Sequence, residues 1–148
     1  MTEILCSVVV PGDPETVYDY VADGDYHSLW QRDLRHREQP MPELVRGSTW
    51  RESRRLGSRE LTIDVTVTET ERPQRIAFEG TSGKYRGRSV LEFYPEGSLT
   101  RVVHRTELRA RGLSVAFVWL IARHVRSALQ ANLYRLTMRL AQPTQPTA

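Results

Sequence analysis

Residues 100–141, TRVVHRTELRARGLSVAFVWLIARHVRSALQANLYRLTMRLA, change hydrophobic period once, and that change decides the fold. From Thr100 to Leu108 the period is two. Val102, His104, Thr106 and Leu108 fall on one side of an extended chain, and Arg101, Arg105 and Glu107 on the other. From Leu113 onward the period is 3.6. Val118, Ala122, Val125, Leu129, Leu133, Leu136 and Leu140 form one apolar stripe, with Arg123, Arg126, Gln130 and Thr137 over much of the opposite side. A strand therefore hands over to one long helix, expected from roughly Leu113 to Ala141.

Upstream of this stretch the chain reads as strand and turn. Leu61, Ile63, Val65 and Val67 alternate with Thr62, Asp64, Thr66 and Thr68, and the pairs Ile76/Phe78 and Leu91/Phe93 repeat the pattern. Turn residues at Gly57-Ser58, Arg72-Pro73, Ser82-Gly83 and Pro95-Glu96-Gly97 separate the runs, and connections this short imply antiparallel pairing. Gln39-Pro40-Met41-Pro42-Glu43 reads as a loop. At the start, a strand from Ile4 to Val10 leads to Asp13, a good N-cap, and Pro14 at the first helical position. Val17 and Val21 share a face of that helix, Gly24 ends it, and Asp25 caps a second short helical piece carrying Tyr26, Leu29 and Trp30. A long sheet followed by one long helix predicts an α+β domain over 1–141, about seven strands curved around that helix. Residues 142–148, with Pro143 and Pro146, are expected to form a disordered tail. A curved sheet closed by a helix can leave a cavity between them.

Composition narrows the classes. A chain of 148 residues is large enough to bury a core without staples. Cys6 is the only cysteine, so no intramolecular disulfide forms and it reads as a small buried hydrophobe. Met1-Thr2-Glu3-Ile4 shows no secretory leader pattern, and the apolar run Val115–Ala122 is too short to cross a bilayer, so a cytoplasmic location is expected. Lys84 is the only lysine among the basic residues, and the net charge is only +3. The arginines are scattered among eighteen acidic residues without a basic block, which reads as codon usage rather than nucleic-acid binding.

Several stretches, in order, resemble one superfamily. Val8-Val9-Val10-Pro11 runs into Pro14-Glu15-Thr16-Val17-Tyr18, and the aromatic-marked Tyr26-His27-Ser28-Leu29-Trp30 follows. Then come the glycine-led Gly47-Ser48-Thr49-Trp50-Arg51, the hairpin from Phe93 to Val102, and Ala131-Asn132-Leu133-Tyr134-Arg135-Leu136. Together they resemble the START and Bet v 1-like superfamily, in its bacterial polyketide cyclase/dehydrase and lipid-transport branch, over roughly residues 3–141. The resemblance implies a helix-grip fold and a small hydrophobic ligand such as a polyketide, lipid or isoprenoid. It leaves activity open, since the fold carries cyclases, carriers, receptors and binding modules.

No strong catalytic motif is present. His27, His36, His104 and His124 show no metal-ligand spacing, so no metal or other cofactor is expected. There is no GxSxG elbow, and Gly80-Thr81-Ser82-Gly83-Lys84 lacks phosphate-loop spacing and reads as a hairpin turn. What remains are polar residues on inward faces. Trp50, Glu52 and Arg54 alternate onto one side of a strand, where the charges must pair with each other or meet a polar ligand group. His104 shares the inward side of its strand, as a satisfied core histidine or an acid–base group. His36 is a similar candidate on the strand after Trp30, and Tyr20, Tyr26 and Trp30 are candidates for the cavity mouth. Ile63, Val65, Phe78, Leu91, Phe93 and Val102 from the sheet, with Val125 and Leu129 from the helix, are expected to line the cavity.

Trp50 and Arg54 also resemble a Trp-xxx-Arg element of aromatase/cyclases in this superfamily. That resemblance implies Arg54 stabilising enolate charge while His104 or a water moves the proton. Three readings follow: a carrier for a hydrophobic molecule, a cyclase, aromatase or dehydratase, and an interaction module with a filled cavity. Whether Arg54 and His104 meet in one pocket separates the second from the first. Oligomeric state is left open.

Overall fold

The structure is a computed structural model that describes residues 2–112 and 115–142. The expected helix start at Leu113 and the tail beyond Gln142 lie outside the described residues. Strand β1 (Thr2–Pro11) leads to α1 (Pro14–Ala22), a 3-10 turn (Gly24–Tyr26) and the single-turn α2 (His27–Trp30). Strands β2 (Leu34–Arg37), β3 (Thr49–Leu56), β4 (Arg59–Glu71), β5 (Arg75–Ser82), β6 (Tyr85–Glu96) and β7 (Leu99–Ala110) follow, and α3 (Val115–Ala141) closes the chain.

The seven strands form one antiparallel sheet in the order β1-β7-β6-β5-β4-β3-β2. Consecutive strands from β3 to β7 are neighbours joined by tight turns, while a loop over residues 38–48 connects β2 to β3; Gly57 between β3 and β4 takes φ +63°, which favours glycine. Asp13 caps α1 as expected, its carboxylate accepting from the Thr16 backbone N–H at 2.8 Å. The concave face of the sheet receives α3, which runs beside β1. This is the helix-grip architecture.

One end of the space between sheet and helix is solidly packed. Ile4, Val10, Val17, Val21, Ile76 and Val102 meet Leu133 and Leu136 of α3, all essentially inaccessible to solvent. Tyr18 sets its ring edge-on to Phe93 with centroids 5.4 Å apart. Cys6 belongs to this core, where burial pushes its thiol pKa up against the lowering effect of Arg126. Trp50, Val65 and Val67 form a second, smaller cluster with Ile63 and Phe78. Beyond the packed end the two layers part.

Candidate ligand cavity

A cavity of about 240 Å³ lies between the concave sheet and the N-terminal part of α3. Alternation along the strands supplies the apolar walls: Ile63 and Val65 from β4, Phe78 from β5, Leu91 from β6. Val125 and Leu129, one helical turn apart, close it from α3. At the other end stand Trp30, Trp50, Glu52, Arg54 and His104. Arg54 and His104 therefore face the same space.

The polar end is built around Glu52, whose residue is only 3 % exposed. Its Oε1 accepts from Trp50 Nε1 at 2.6 Å and from Arg37 Nη2 at 2.9 Å, and its Oε2 accepts from Arg54 Nε. Arg54 also donates from Nη1 to Asp33 Oδ2 at 3.0 Å and from Nη2 to Gln31 Oε1. Asn132 of α3 completes the array, donating to Asp33 Oδ1 at 2.8 Å and accepting the Arg32 backbone N–H at 2.9 Å. Two guanidinium groups thus face two carboxylates, and the cluster is electroneutral. Burial alone would raise the Glu52 pKa, but Arg54, Arg37 and the hydrogen bonds from Trp50 and Arg37 outweigh it and hold the carboxyl at about 2. Burial alone would lower Arg54, yet Glu52 and Asp33 reverse that and push it up. Glu52 and Arg54 are both ionised at neutral pH, and their charges are spent within the network.

The histidines behave in the opposite way. Burial, reinforced by Arg54 and opposed by Asp33, lowers the His104 pKa to about 4. His27 falls to about 4 as well, through burial first and then Arg37. Both rings are neutral at pH 7. His27 donates from Nε2 to the Val21 carbonyl at 2.7 Å, which leaves Nδ1 as a bare acceptor. His27 Nδ1, Trp30 Nε1 and His104 Nε2 are buried and have no hydrogen-bond partner among the described residues. All three residues line the cavity. Among the described residues no group of histidine, cysteine and carboxylate side chains is arranged to hold a metal ion.

Residues 1–141 match the model of the family described as polyketide cyclase/dehydrase and lipid transport. The chain belongs to this family. No curated protein sequence matches it significantly. Solved structures share the fold of this polyketide cyclase/dehydrase family member at low identity. TTHA0849 from Thermus thermophilus is 19% identical with a TM-score of 0.79, covering 94% of this chain and 97% of that one. KanY is 12% identical, TM-score 0.75, with 95% and 98% covered. DynU16, a protein of the dynemicin biosynthetic locus, is 16% identical, TM-score 0.68, and the match covers 93% of this chain and 46% of that one.

Five residues expected at the cavity of this polyketide cyclase/dehydrase family member lie elsewhere. Phe93 and Val102 face inward but sit in the packed core rather than on the cavity wall. Tyr20 and Tyr26 stack on each other outside the cavity, centroids 5.0 Å apart, with Tyr26 largely exposed. His36 is also solvent-exposed, its Nε2 4.0 Å from Glu60. The reason is a bulge. The β2–β3 register slips between Leu34 and His36, and this turns Arg37 inward opposite Glu52 where simple alternation would have placed His36. Arg37, Gln31 and Asp33 carried no signal in the sequence, because they come from a bulged strand and a loop, and Asn132 was visible only as one residue of the helix stretch Ala131–Leu136. His27 was visible only as one residue of an aromatic-marked helix.

Proposed function

We propose that this chain binds one small, largely hydrophobic molecule in the cavity between the sheet and α3, with an uncharged oxygen of the ligand at the polar end. The observation that carries the reading is the contrast inside the cavity. Its walls are mostly apolar, while its polar end holds a charge-balanced network beside three unpartnered atoms on His27, Trp30 and His104. After a small side-chain shift, since these atoms have no open surface as they stand, a hydroxyl or carbonyl oxygen would accept from Trp30 Nε1 or hydrogen-bond a neutral imidazole. At the polar end a carboxylate would meet only Arg37 and Arg54, which are already paired; Arg55 and Arg86 also line the cavity. The size suits this: an apolar cavity of about 150 Å³ already admits benzene, so about 240 Å³ supports a larger guest. The family description and the biosynthetic-locus origin of one structural relative support a polyketide, lipid or isoprenoid-like ligand.

Catalysis as a cyclase or dehydratase is the second reading, favoured by one observation: Arg54 and His104 line the same cavity. A neutral His104 could take a proton from an activated methylene, and the remaining Arg54 N–H groups could stabilise the enolate oxygen. The engagement of three Arg54 nitrogens by Glu52, Asp33 and Gln31 weighs toward a positioning role.

Native mass spectrometry of the purified protein, followed by organic extraction, tests the binding reading. A stoichiometric neutral apolar compound is expected. Failure to retain or bind any hydrophobic compound across a library of hydroxylated and ketonic polycycles, fatty alcohols and terpenoids would overturn it. Turnover of a poly-β-ketone lost in His104→Phe would instead establish the second reading.

A further inference from the structure

The inner face of α3 is satisfied by core and cavity. Its outer face is not what a solvated helix surface looks like. Phe117, Trp119, Leu120, Tyr134 and Met138 are all exposed there, Trp119 at 61% and Tyr134 at 65%. Phe117, Trp119 and Leu120 form one exposed apolar patch near its N-terminus, and Tyr134 with Met138 another near its C-terminus, each with surface to bury. Charge is equally one-sided. No Asp or Glu occurs after Glu107, whereas Arg109, Arg111, Arg123, Arg126, Arg135 and Arg139 all do. Arg123 lies over the Trp119 ring, its guanidinium carbon 5.9 Å from the centroid. The two patches lie roughly 20 Å apart, at 1.5 Å per residue from Leu120 to Tyr134, with Arg123, His124, Arg126, Ser127, Gln130 and Ala131 exposed between them.

Charge decides among the occupants of such a face. A second copy would set one acid-free, four-arginine helix against another with no carboxylate on either to separate them. An anionic lipid surface satisfies both halves of the pattern. Trp, Phe, Leu and Met enter the acyl boundary while Arg123, Arg126 and Arg139 stay at the phosphates. No helix among the described residues is long and apolar enough to cross a membrane, so the geometry is that of a helix lying in the interface. We propose that the outer face of α3 docks this protein on anionic bilayers. The same helix lines the cavity on its other side with Ile121, Val125 and Leu129, so the docked face and the ligand site share one wall.

Co-sedimentation of the full chain with phosphatidylcholine vesicles, with and without one third phosphatidylglycerol, tests this. Binding to the anionic vesicles alone is expected, weakening as salt rises. Each arginine should contribute roughly a five-fold factor in partitioning, so Arg123→Gln with Arg126→Gln should lower it roughly twenty-five-fold. The pair Arg72→Gln and Arg101→Gln, away from α3, should leave it unchanged. Trp30 and Trp50 are buried, so quenching by brominated lipid reports Trp119 and should disappear in Trp119→Ser. Circular dichroism checks that each variant is folded. No binding to either vesicle, equal binding to both, or equal loss in both arginine pairs would overturn the proposal. So would a dimer in sedimentation velocity that Trp119→Ser abolishes, or preferential binding to soluble polyglutamate.

Discussion

Val102 and His104 are adjacent inward residues on β7, yet they live in different surroundings. Val102 is wholly enclosed by apolar side chains. His104, 9% exposed, lines the cavity, and its Nε2 is buried without a hydrogen-bond partner among the described residues. β6 makes the same transition between Phe93 and Leu91, and α3 between Leu133 and Leu129. One end of the grip is a close-packed solid in which every methylene has neighbours. The other is held open by a network of ions whose partners are fixed. The packed end supplies stability, and it lets the open end keep a void and buried polar groups that would otherwise be costly.

The largest effect is expected from breaking the network. Glu52→Gln leaves Arg37 and Arg54 sharing only Asp33 as counter-charge in a buried site. It should cost about 3–5 kcal/mol in urea unfolding, with the Arg37 side losing most order. Leu136→Ala at the packed end should cost about 3 kcal/mol through the cavity it leaves, without altering ligand retention. A mutation there that empties the cavity of ligand at unchanged stability would break the division between the two ends.

Acid should act on the open end first. His104 and His27 have folded pKa values of about 4 against 6.5 in a free chain, so the unfolded state binds more protons between those values. Stability is therefore complete above about pH 6.5 and falls as pH drops toward 4, by about 2–3 kcal/mol per histidine. Glu52 adds its loss as pH falls below 4.5 toward 2, because its folded pKa is depressed. Urea midpoints at pH 7, 5 and 4 should show this slope, and His104→Gln should flatten it. The smallest effect on stability belongs to Ala128→Phe, which fills the cavity from α3 for about 1 kcal/mol or less and abolishes ligand retention. The matching Val102→Phe in the packed end should cost more, about 1–3 kcal/mol, and calorimetry of the two separates void from core.

The sequence specified which face of each long strand turns inward, because period two survives along β3 and β7 without interruption. Trp50, Glu52, Arg54 and His104 were legible for that reason. Depth along the cleft was not. Alternation assigns Val102 and His104 to one face and carries no information on how far helix and sheet stand apart at each level. The partners of Glu52 were hidden by different physics: a bulge reverses the parity of β2, so Arg37 takes the place that pattern gave to His36. Asp33 and Asn132 meet across about a hundred residues of chain, and no local pattern announces such a bond.

Asn132 has one more consequence. Its two hydrogen bonds, with that from Arg135 to the Leu29 carbonyl at 3.1 Å, tie α3 to the segment before β2 at its C-terminal half. Toward its N-terminus Ala122 still packs on the core, but Ile121, Val125 and Leu129 border the cavity. The helix is thus moored at one end like a cantilever, and its amides should exchange with deuterium on a gradient. Protection should be greatest around Leu133–Leu136 and should fall through Val125 toward Ile121, steepening when the cavity is empty and levelling when a guest fills it.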